Sequence, residues 1–205
     1  MKKTVLFIDL DNTIYPVSSI GNELFKLLFD LIEDSGEFEG DFEAIKTAVQ
    51  RKPFQKVAEL FQFSDQLVQD GLNLLETLVV DHPIQPFDDY EVVRTLPHDK
   101  FLVTSGFTTM QNSKVDQLGI REDFREIHIV DLQKSSQTKR DVFENILNRF
   151  DFTAEDVLVI GDDPNSEIQA GKQLGIDTIL YDQIEAHADY EPRITNFHQL
   201  LEILE

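Results

Sequence analysis

The sequence contains no cysteine and no long apolar run. Without cysteine there can be no disulfide, no thiolate nucleophile and no cysteine-ligated zinc site, and we expect a cytoplasmic protein. A membrane-spanning helix needs a run of about 18 or more apolar residues, and the chain has none. Its first lysines lead directly into a predicted strand, which does not resemble a secretory signal.

Positive charge is also scarce. The chain carries 18 lysine and arginine residues against 39 aspartate and glutamate residues, so its formal net charge is -21. Such a field repels nucleic-acid backbones and anionic membranes, and we expect neither as a partner. A small phosphorylated metabolite can bind only where the site is locally positive. We expect a monomer or a weak homodimer.

The amino-terminal stretch carries the most informative pattern. Residues 4–8 are apolar and largely β-branched or aromatic, which predicts a buried strand of a parallel sheet. Asp9 and Asp11 follow, and their side chains point to the same side if the strand continues that far. Two carboxylates beside an apolar strand are costly unless a cation or a proton compensates them, and Mg²⁺ is the natural candidate. The alternative is an acidic loop that only turns the chain.

Two later segments have the same organisation. An apolar strand at residues 100–106 ends in Thr-Ser-Gly, and another at residues 156–163 ends in Gly-Asp-Asp. Further strands are predicted at 126–131 and 176–181, with helical segments between them. This alternation predicts an α/β fold with a doubly wound parallel sheet. Because parallel strands end on the same edge of a sheet, we expect the three polar strand ends to converge.

The segment after the first strand is predicted to be helical. Residues 16–85 show helical spacing of apolar positions and no convincing strand. We therefore predict an α/β core formed by residues 1–15 and 86–205, with a helical insert that covers the site. Arg51 and Lys52 belong to a basic cluster within this acidic insert. One hypothesis is that they bind the leaving group of a substrate, and the alternative is a solvated basic surface.

The first motif resembles that of a known family. The segment Asp9-Leu10-Asp11-Asn12-Thr13 is similar to the D-x-D-x-T signature of the haloacid dehalogenase superfamily in its phosphatase form, and Ile14-Tyr15-Pro16 resembles the opening of its pyrimidine 5′-nucleotidase-like members. The resemblance implies a Rossmann-like core with an inserted helical cap. It implies that Asp9 is a nucleophile that forms an aspartyl-phosphate. It also implies that Asp11 is the general acid/base and that its backbone carbonyl binds Mg²⁺. We then expect a low pKa for Asp9, which would lie next to the metal, and a higher one for Asp11.

The second and third motifs of the family are matched less closely. By position, Thr104 corresponds to the phosphate ligand at the end of the second strand, with the backbone of Ser105 and Gly106 beside it. The motif lysine precedes a helix and pairs with the nucleophile. Lys139 has this position, and Lys134 is the alternative because the usual Lys-Pro is absent.

The fourth motif of the family is Gly-Asp followed by a second acid. The resemblance makes Asp162 a direct Mg²⁺ ligand, while Asp163 or Glu167 holds a metal-bound water or supports the motif lysine. Asn12 is assigned to substrate binding together with Thr104, Ser105, Gly106, Arg51 and Lys52. Lys114, in the helix after the second strand, is expected to have a structural role only.

The resemblance implies a Mg²⁺-dependent phosphatase that hydrolyses a small phosphate monoester, such as a nucleotide or a sugar phosphate. A phosphomutase of the same superfamily would keep every motif. A non-enzymatic receiver-like module would also combine acids, a threonine and a lysine on a parallel sheet. Receivers, however, place adjacent acids after the first strand and lack a helical insert.

Overall fold

A parallel six-stranded sheet forms the centre of the computed structural model, which describes residues 3–204. The strands, in chain order, are β1 (Val5–Ile8), β2 (Asp99–Ser105), β3 (Glu126–Val130), β4 (Val157–Gly161), β5 (Asp177–Tyr181) and β6 (Arg193–Ile194). Their order across the sheet is β3-β2-β1-β4-β5-β6, and every pair is parallel. The predicted doubly wound parallel sheet is confirmed. Only β6 was not predicted, because two residues are too few to show a period.

The strand β1 lies between the two other strands that end in polar residues. Ile8, its last residue, pairs with Leu102 of β2 on one side and with Ile160 of β4 on the other. The polar residues at the ends of these strands and directly after them therefore lie at one edge of the sheet, as the sequence predicted.

The two faces of the sheet are covered by different hydrophobic clusters, because alternate side chains of a strand point to opposite faces. Val5 and Phe7 pack with residues of a later helix, among them Phe143, whose ring stacks on Phe7 at a centroid distance of 4.9 Å. Leu6 and Ile8 belong to the other cluster, which extends into the helical insert.

Ten α-helices are present within residues 3–204. They are α1 (Gly21–Leu24), α2 (Lys26–Ser35), α3 (Phe42–Val49), α4 (Phe54–Leu60), α5 (Asp65–Thr77), α6 (Tyr90–Thr95), α7 (Thr108–Leu118), α8 (Lys139–Phe150), α9 (Glu167–Gln173) and α10 (Gln199–Leu204). Within residues 3–204, no helix has both the length and the apolar character needed to cross a bilayer.

Helices α1 to α5 all lie between β1 and β2 in the chain. Leu28, Val57 and Leu67 from this segment are buried in the same cluster as Leu6 and Ile8 of the sheet. Apolar contacts are therefore continuous from the insert to the sheet. The helical character predicted for residues 16–85 is confirmed, while their assignment to a separate cap domain stays a prediction.

Candidate active site

Asp9 is the first residue after β1, and its backbone N–H donates to the carbonyl of Ile160 in the neighbouring strand. This bond fixes the backbone of Asp9, and its side chain is buried. The strand ends at Ile8, so strict alternation does not continue to Asp11. Asn12 then adopts a left-handed conformation with φ of 56°, and its Oδ1 accepts a bond from the N–H of Val17. The side chain of Asn12, predicted to bind substrate, thus holds the turn while it lines the cavity.

Lys139 is the lysine that lies beside Asp9. It is the first residue of α8, and Thr138 caps this helix by accepting a bond from the N–H of Asp141. The Nζ atom of Lys139 lies 2.6 Å from Oδ1 of Asp9. Lys134, the alternative, is exposed, and its closest acidic partner is Asp131 at 3.6 Å. Burial opposes the charge of Lys139, but its acidic partners raise its pKa above the ordinary value.

Glu167 completes an acidic cluster around this lysine. One of its carboxylate oxygens lies 2.6 Å from Nζ of Lys139, and the other accepts a bond from the N–H of Asp163 at 2.8 Å. Carboxylate oxygens of Asp9, Asp162 and Glu167 lie within 4.8 Å of one another. Helix α9 begins at Glu167, which places its carboxylate under the end of β4.

The glycine at the end of β4 provides the space for this carboxylate. A Cβ atom on Gly161 would overlap the side chain of Glu167. In the Gly-Asp pair of the fourth motif, the glycine therefore leaves room for the Glu167 carboxylate, while the aspartate supplies an acid. Asp163, in contrast, is exposed, and its Oδ1 accepts a bond from the N–H of Asn165. Its carboxylate supports a turn and is not part of the acidic cluster.

Negative charge exceeds positive charge in this cluster. Burial, opposed by Lys139 and assisted by Glu167, raises the pKa of Asp9 to about 7. Burial and the charge of Asp9 raise the pKa of Asp162 to about 9. When ionised, three carboxylates beside one lysine leave an excess of negative charge, which a divalent cation would compensate. Carboxylate oxygens are ligands that Mg²⁺ prefers. The residues therefore fit a Mg²⁺ ion, with Asp9, Asp162 and Glu167 as candidate ligands.

Asp11 contacts a different helix from Asp9. The Nζ atom of Lys114 in α7 lies 2.8 Å from Oδ1 and 3.1 Å from Oδ2 of Asp11. The hydroxyl of Tyr15 donates to Oδ1 at 2.5 Å, and the amide of Gln111 donates to Oδ2 at 2.8 Å. Burial would raise the pKa of Asp11, but these three contacts hold it below the ordinary value.

The protein's own contacts give an order of pKa values opposite to the one expected beside a metal ion, and that expectation stays a prediction for the Mg²⁺-bound site. Asp9 was expected to have the lower pKa of the two, but burial raises its pKa to about 7. The pKa of Asp11 is lowered because a lysine, a tyrosine and a glutamine surround its carboxylate. The condition for strict alternation from Asp9 to Asp11 is not met, because the strand ends at Ile8, but both residues line the same cavity.

Gln111 and Lys114 are the site residues that sequence reasoning missed. They are three positions apart in α7, so they lie on one face of that helix. Both are buried, although Lys114 was expected to be structural only. The available signal was their position beside the apolar residues Met110 and Val115, which places them near the buried face. Nothing in the sequence indicated that this face meets Asp11.

The end of β2 supplies a hydroxyl to the same site. Thr104 is buried, and its Oγ1 accepts a bond from Gln111 at 2.7 Å, which leaves the hydroxyl proton free to donate. Gly106 has a φ of 148°, and its N–H donates to the carbonyl of Val130. This N–H is therefore already bonded within the protein, and the placement of the Ser105 and Gly106 backbone beside a phosphate stays a prediction. Ser105 is exposed and lines the cavity.

The site residues predicted from the sequence all line one cavity of about 970 Å³ between the sheet edge and the insert. Arg51 and Lys52 line it from the insert's side, in the connection between α3 and α4. This volume is near the upper end of the range of about 300–1,000 Å³ for small-molecule sites. The predicted site residues thus share one cavity, but only Asp9, Lys139, Asp162 and Glu167 form the acidic cluster.

A model of the haloacid dehalogenase-like hydrolase family matches residues 3–175. Pyrimidine 5′-nucleotidase PynA of Streptococcus pneumoniae is 28% identical over 113 residues, which are 53% of this chain and 48% of that protein. Glyceraldehyde 3-phosphate phosphatase of Pyrococcus furiosus is 26% identical over 113 residues, 51% of this chain and 46% of that protein. The chain thus spans about half the length of both relatives.

A solved structure shows the same fold over the whole chain. The HAD-hydrolase YfnB from Bacillus subtilis, whose crystal structure holds magnesium, has a TM-score of 0.68 and 20% sequence identity, and the match covers 100% of both chains. At this identity the similarity concerns the fold alone.

Proposed function

The chain belongs to the haloacid dehalogenase-like hydrolase family, and from this premise we propose that it hydrolyses small phosphate monoesters through a phosphoryl group carried on Asp9. The contact that supports this proposal most directly is the 2.6 Å ion pair of Lys139 with Asp9. It places a buried carboxylate and a fixed cation together at the sheet edge, where ligands bind in open α/β sheets.

Mg²⁺ is the cofactor that we propose for the acidic cluster. Asp9, Asp162 and Glu167 would hold it through their carboxylates, and the family resemblance adds the backbone carbonyl of Asp11. When bound, the ion would neutralise negative charge on the phosphate oxygens and on the acids around them. The magnesium in YfnB, which has the same fold, supports this choice.

The first step transfers the phosphoryl group to the enzyme. Asp9 attacks phosphorus and forms an O–P bond, the bond from phosphorus to the ester oxygen breaks, and the leaving alkoxide takes a proton from Asp11. Lys139 and the free hydroxyl proton of Thr104 are placed to donate to the phosphate oxygens during this transfer. Because the contacts of Asp11 favour its ionised form, this step requires that substrate binding changes them.

The second step releases phosphate. Asp11 takes a proton from a water molecule, whose oxygen attacks phosphorus, and the bond from phosphorus to Asp9 breaks. The acid/base residue is thereby protonated for the next turnover and the Asp9 carboxylate is restored. The contacts of Asp11 with Lys114 and Tyr15 favour this step, because they stabilise the carboxylate that accepts the proton.

A panel of phosphate esters tests the proposed function. The names of the two relatives suggest a nucleoside monophosphate and a triose phosphate as first substrates, with p-nitrophenyl phosphate as a general probe. We expect phosphate release that requires Mg²⁺ and is lost in Asp9→Asn. Release of phosphate from a sugar phosphate without an isomeric product would separate a phosphatase from a phosphomutase. No release from any ester would contradict the proposal.

A further inference from the structure

Arg51 and Lys52 differ from the other lysine and arginine side chains that the structure describes. Within residues 3–204, every other lysine and arginine side chain donates to or pairs with an oxygen acceptor. Arg51 and Lys52 have no such partner among these residues and are exposed. They are also adjacent, so each experiences the repulsion of the other. In a chain of net charge -21, two neighbouring cations without an acidic partner are unusual.

Both side chains line the cavity that contains Asp9. They lie between α3, which ends at Val49, and α4, which begins at Phe54. The N–H groups of Arg51 and Lys52 both donate to the carbonyl of Ala48, which holds this short connection against the end of α3. The connection is therefore ordered by its backbone, while the two cationic side chains remain available to a ligand.

The two sides of the cavity carry opposite charge. Every acidic residue that lines it belongs to the core, whereas the insert contributes Arg51 and Lys52 and no acid to the lining. The insert as a whole contains more acids than bases, so this local composition is not an average property of the segment. On the core side, Lys139 and the proposed Mg²⁺ serve the transferred phosphate, while Lys114 and Arg140, which also line the cavity, pair with acids of the core.

We propose that the preferred substrate carries a second anionic group, a carboxylate or another phosphate, on its leaving group, and that Arg51 and Lys52 bind it. The inference rests on the proposed function. Arg51 offers a planar pair of donors that matches a carboxylate or a phosphate, and Lys52 adds a point charge. When the scissile phosphate lies at Asp9, Arg51 and Lys52 are available to contact the leaving group of the substrate. The cavity of about 970 Å³ has room for both anionic groups.

Two pairs of substrates test this inference, since the members of each pair differ in one anionic group. Ethyl phosphate and phosphoglycolate differ by a carboxylate, whereas fructose monophosphate and fructose bisphosphate differ by a phosphate. The measured quantity is the selectivity, defined as kcat/KM of the more anionic ester divided by that of its partner. We expect the wild type to prefer the more anionic member of at least one pair, and that pair identifies the group.

The variant Arg51→Gln/Lys52→Gln should lower this selectivity by about 10-fold to 100-fold, the range that corresponds to loss of a hydrogen bond to a charged group. The matched control is Lys26→Gln/Lys56→Gln, which removes two positive charges from the same insert outside the cavity. We expect its selectivity to stay within about twofold of the wild type, because changes in the general field act on both members of a pair.

The possible outcomes distinguish failure of the inference from failure of the proposed function. Hydrolysis of the esters with no preference for an anionic leaving group, or an equal loss on both members of a pair in Arg51→Gln/Lys52→Gln, would overturn the inference alone. The second result would mean that the two residues bind the scissile phosphate. Calorimetric binding of each ester to Asp9→Asn provides a readout without turnover. Equal affinity of that protein for both members of each pair would also overturn the inference, whereas no hydrolysis of any ester by the wild type would overturn the proposed function.

Discussion

The ammonium group of Lys114 lies 2.8 Å from a carboxylate oxygen of Asp11, and only 4% of the lysine side chain is exposed. The lysine comes from α7 and the aspartate from the loop after β1, so the ion pair joins two elements that are far apart in the chain. Gln111, one turn earlier in α7, holds the other oxygen of Asp11 and also bonds Thr104. The proposed acid/base and the proposed phosphate ligand are therefore positioned by one helix face.

Replacing Lys114 should destabilise the protein. In Lys114→Met the carboxylate of Asp11 loses its cationic partner while it stays largely enclosed, and we expect the free energy of unfolding to fall by about 3 kcal/mol. The control is Lys26→Met, which breaks an exposed ion pair with Asp30 and should cost less than about 1 kcal/mol. Urea unfolding measures both values. Equal losses in the two variants would show that the Lys114 pair contributes no more than a surface pair.

The two candidate motif lysines should differ sharply in their effect on activity. Lys139→Ala removes the cation that contacts Asp9, and we expect kcat for p-nitrophenyl phosphate to fall by about 100-fold to 1,000-fold, as for loss of one preorganised donor. Lys134→Ala removes an exposed side chain and should leave kcat within about threefold. A larger loss in Lys134→Ala than in Lys139→Ala would show that Lys134 is the motif lysine.

Metal binding should depend on two of the three acids near the end of β4. Asp162→Asn and Glu167→Gln each remove a charge from the acidic cluster, and we expect at least about tenfold weaker Mg²⁺ binding by calorimetry. Asp163→Asn changes a carboxylate that supports a turn, so its affinity should stay within about threefold of the wild type. If Asp163→Asn weakened binding as much as Asp162→Asn, the assignment of ligands would be wrong.

The pH dependence of stability should report on Asp131. Although burial opposes it, bonds from the hydroxyl and the N–H of Thr108 and from the N–H of Gln133 lower the pKa of this carboxyl in the folded protein. A pKa lowered by folding stabilises the protein above the ordinary pKa of the group, and the stabilisation is lost as the pH falls through the folded value.

We therefore expect the stability difference between the wild type and Asp131→Asn to be largest near neutral pH and to shrink as the pH falls below the ordinary pKa of an aspartate and through the lowered folded value. Urea unfolding across this range measures the difference, and Asp189→Asn, which changes an exposed carboxyl group, is the control. A difference that grows as the pH falls would have the wrong sign for this explanation.

The convergence of Asp9 and Asp162 could be predicted because a parallel sheet ends all of its strands on one edge. Apolar runs identified β1 and β4, and the acids at their ends followed directly in the sequence. The order of the strands in the sheet could not be predicted from the sequence, because no local pattern indicates which strands pair. Lys139 was chosen as the motif lysine because it precedes an amphipathic helix. This choice was possible because the start of a helix can be predicted from local sequence.

The surroundings of Asp11 could not be predicted for a different reason. The spacing of Met110, Val115 and Leu118 indicates the apolar face of α7 but not the rotation of that helix against the loop after β1. Gln111 and Lys114 therefore looked like ordinary polar positions. The expected pKa order of Asp9 and Asp11 was argued from the metal and did not include these two neighbours, which lower the pKa of Asp11.

The most direct test of the account is to trap the phosphorylated protein during turnover. Wild type mixed with a radiolabelled phosphate ester and Mg²⁺ and quenched with acid should carry the label, and peptide mapping should place it on Asp9. Asp9→Asn should carry no label and release no phosphate, whereas label on the wild type at any other residue, or undiminished turnover by Asp9→Asn, would contradict the account.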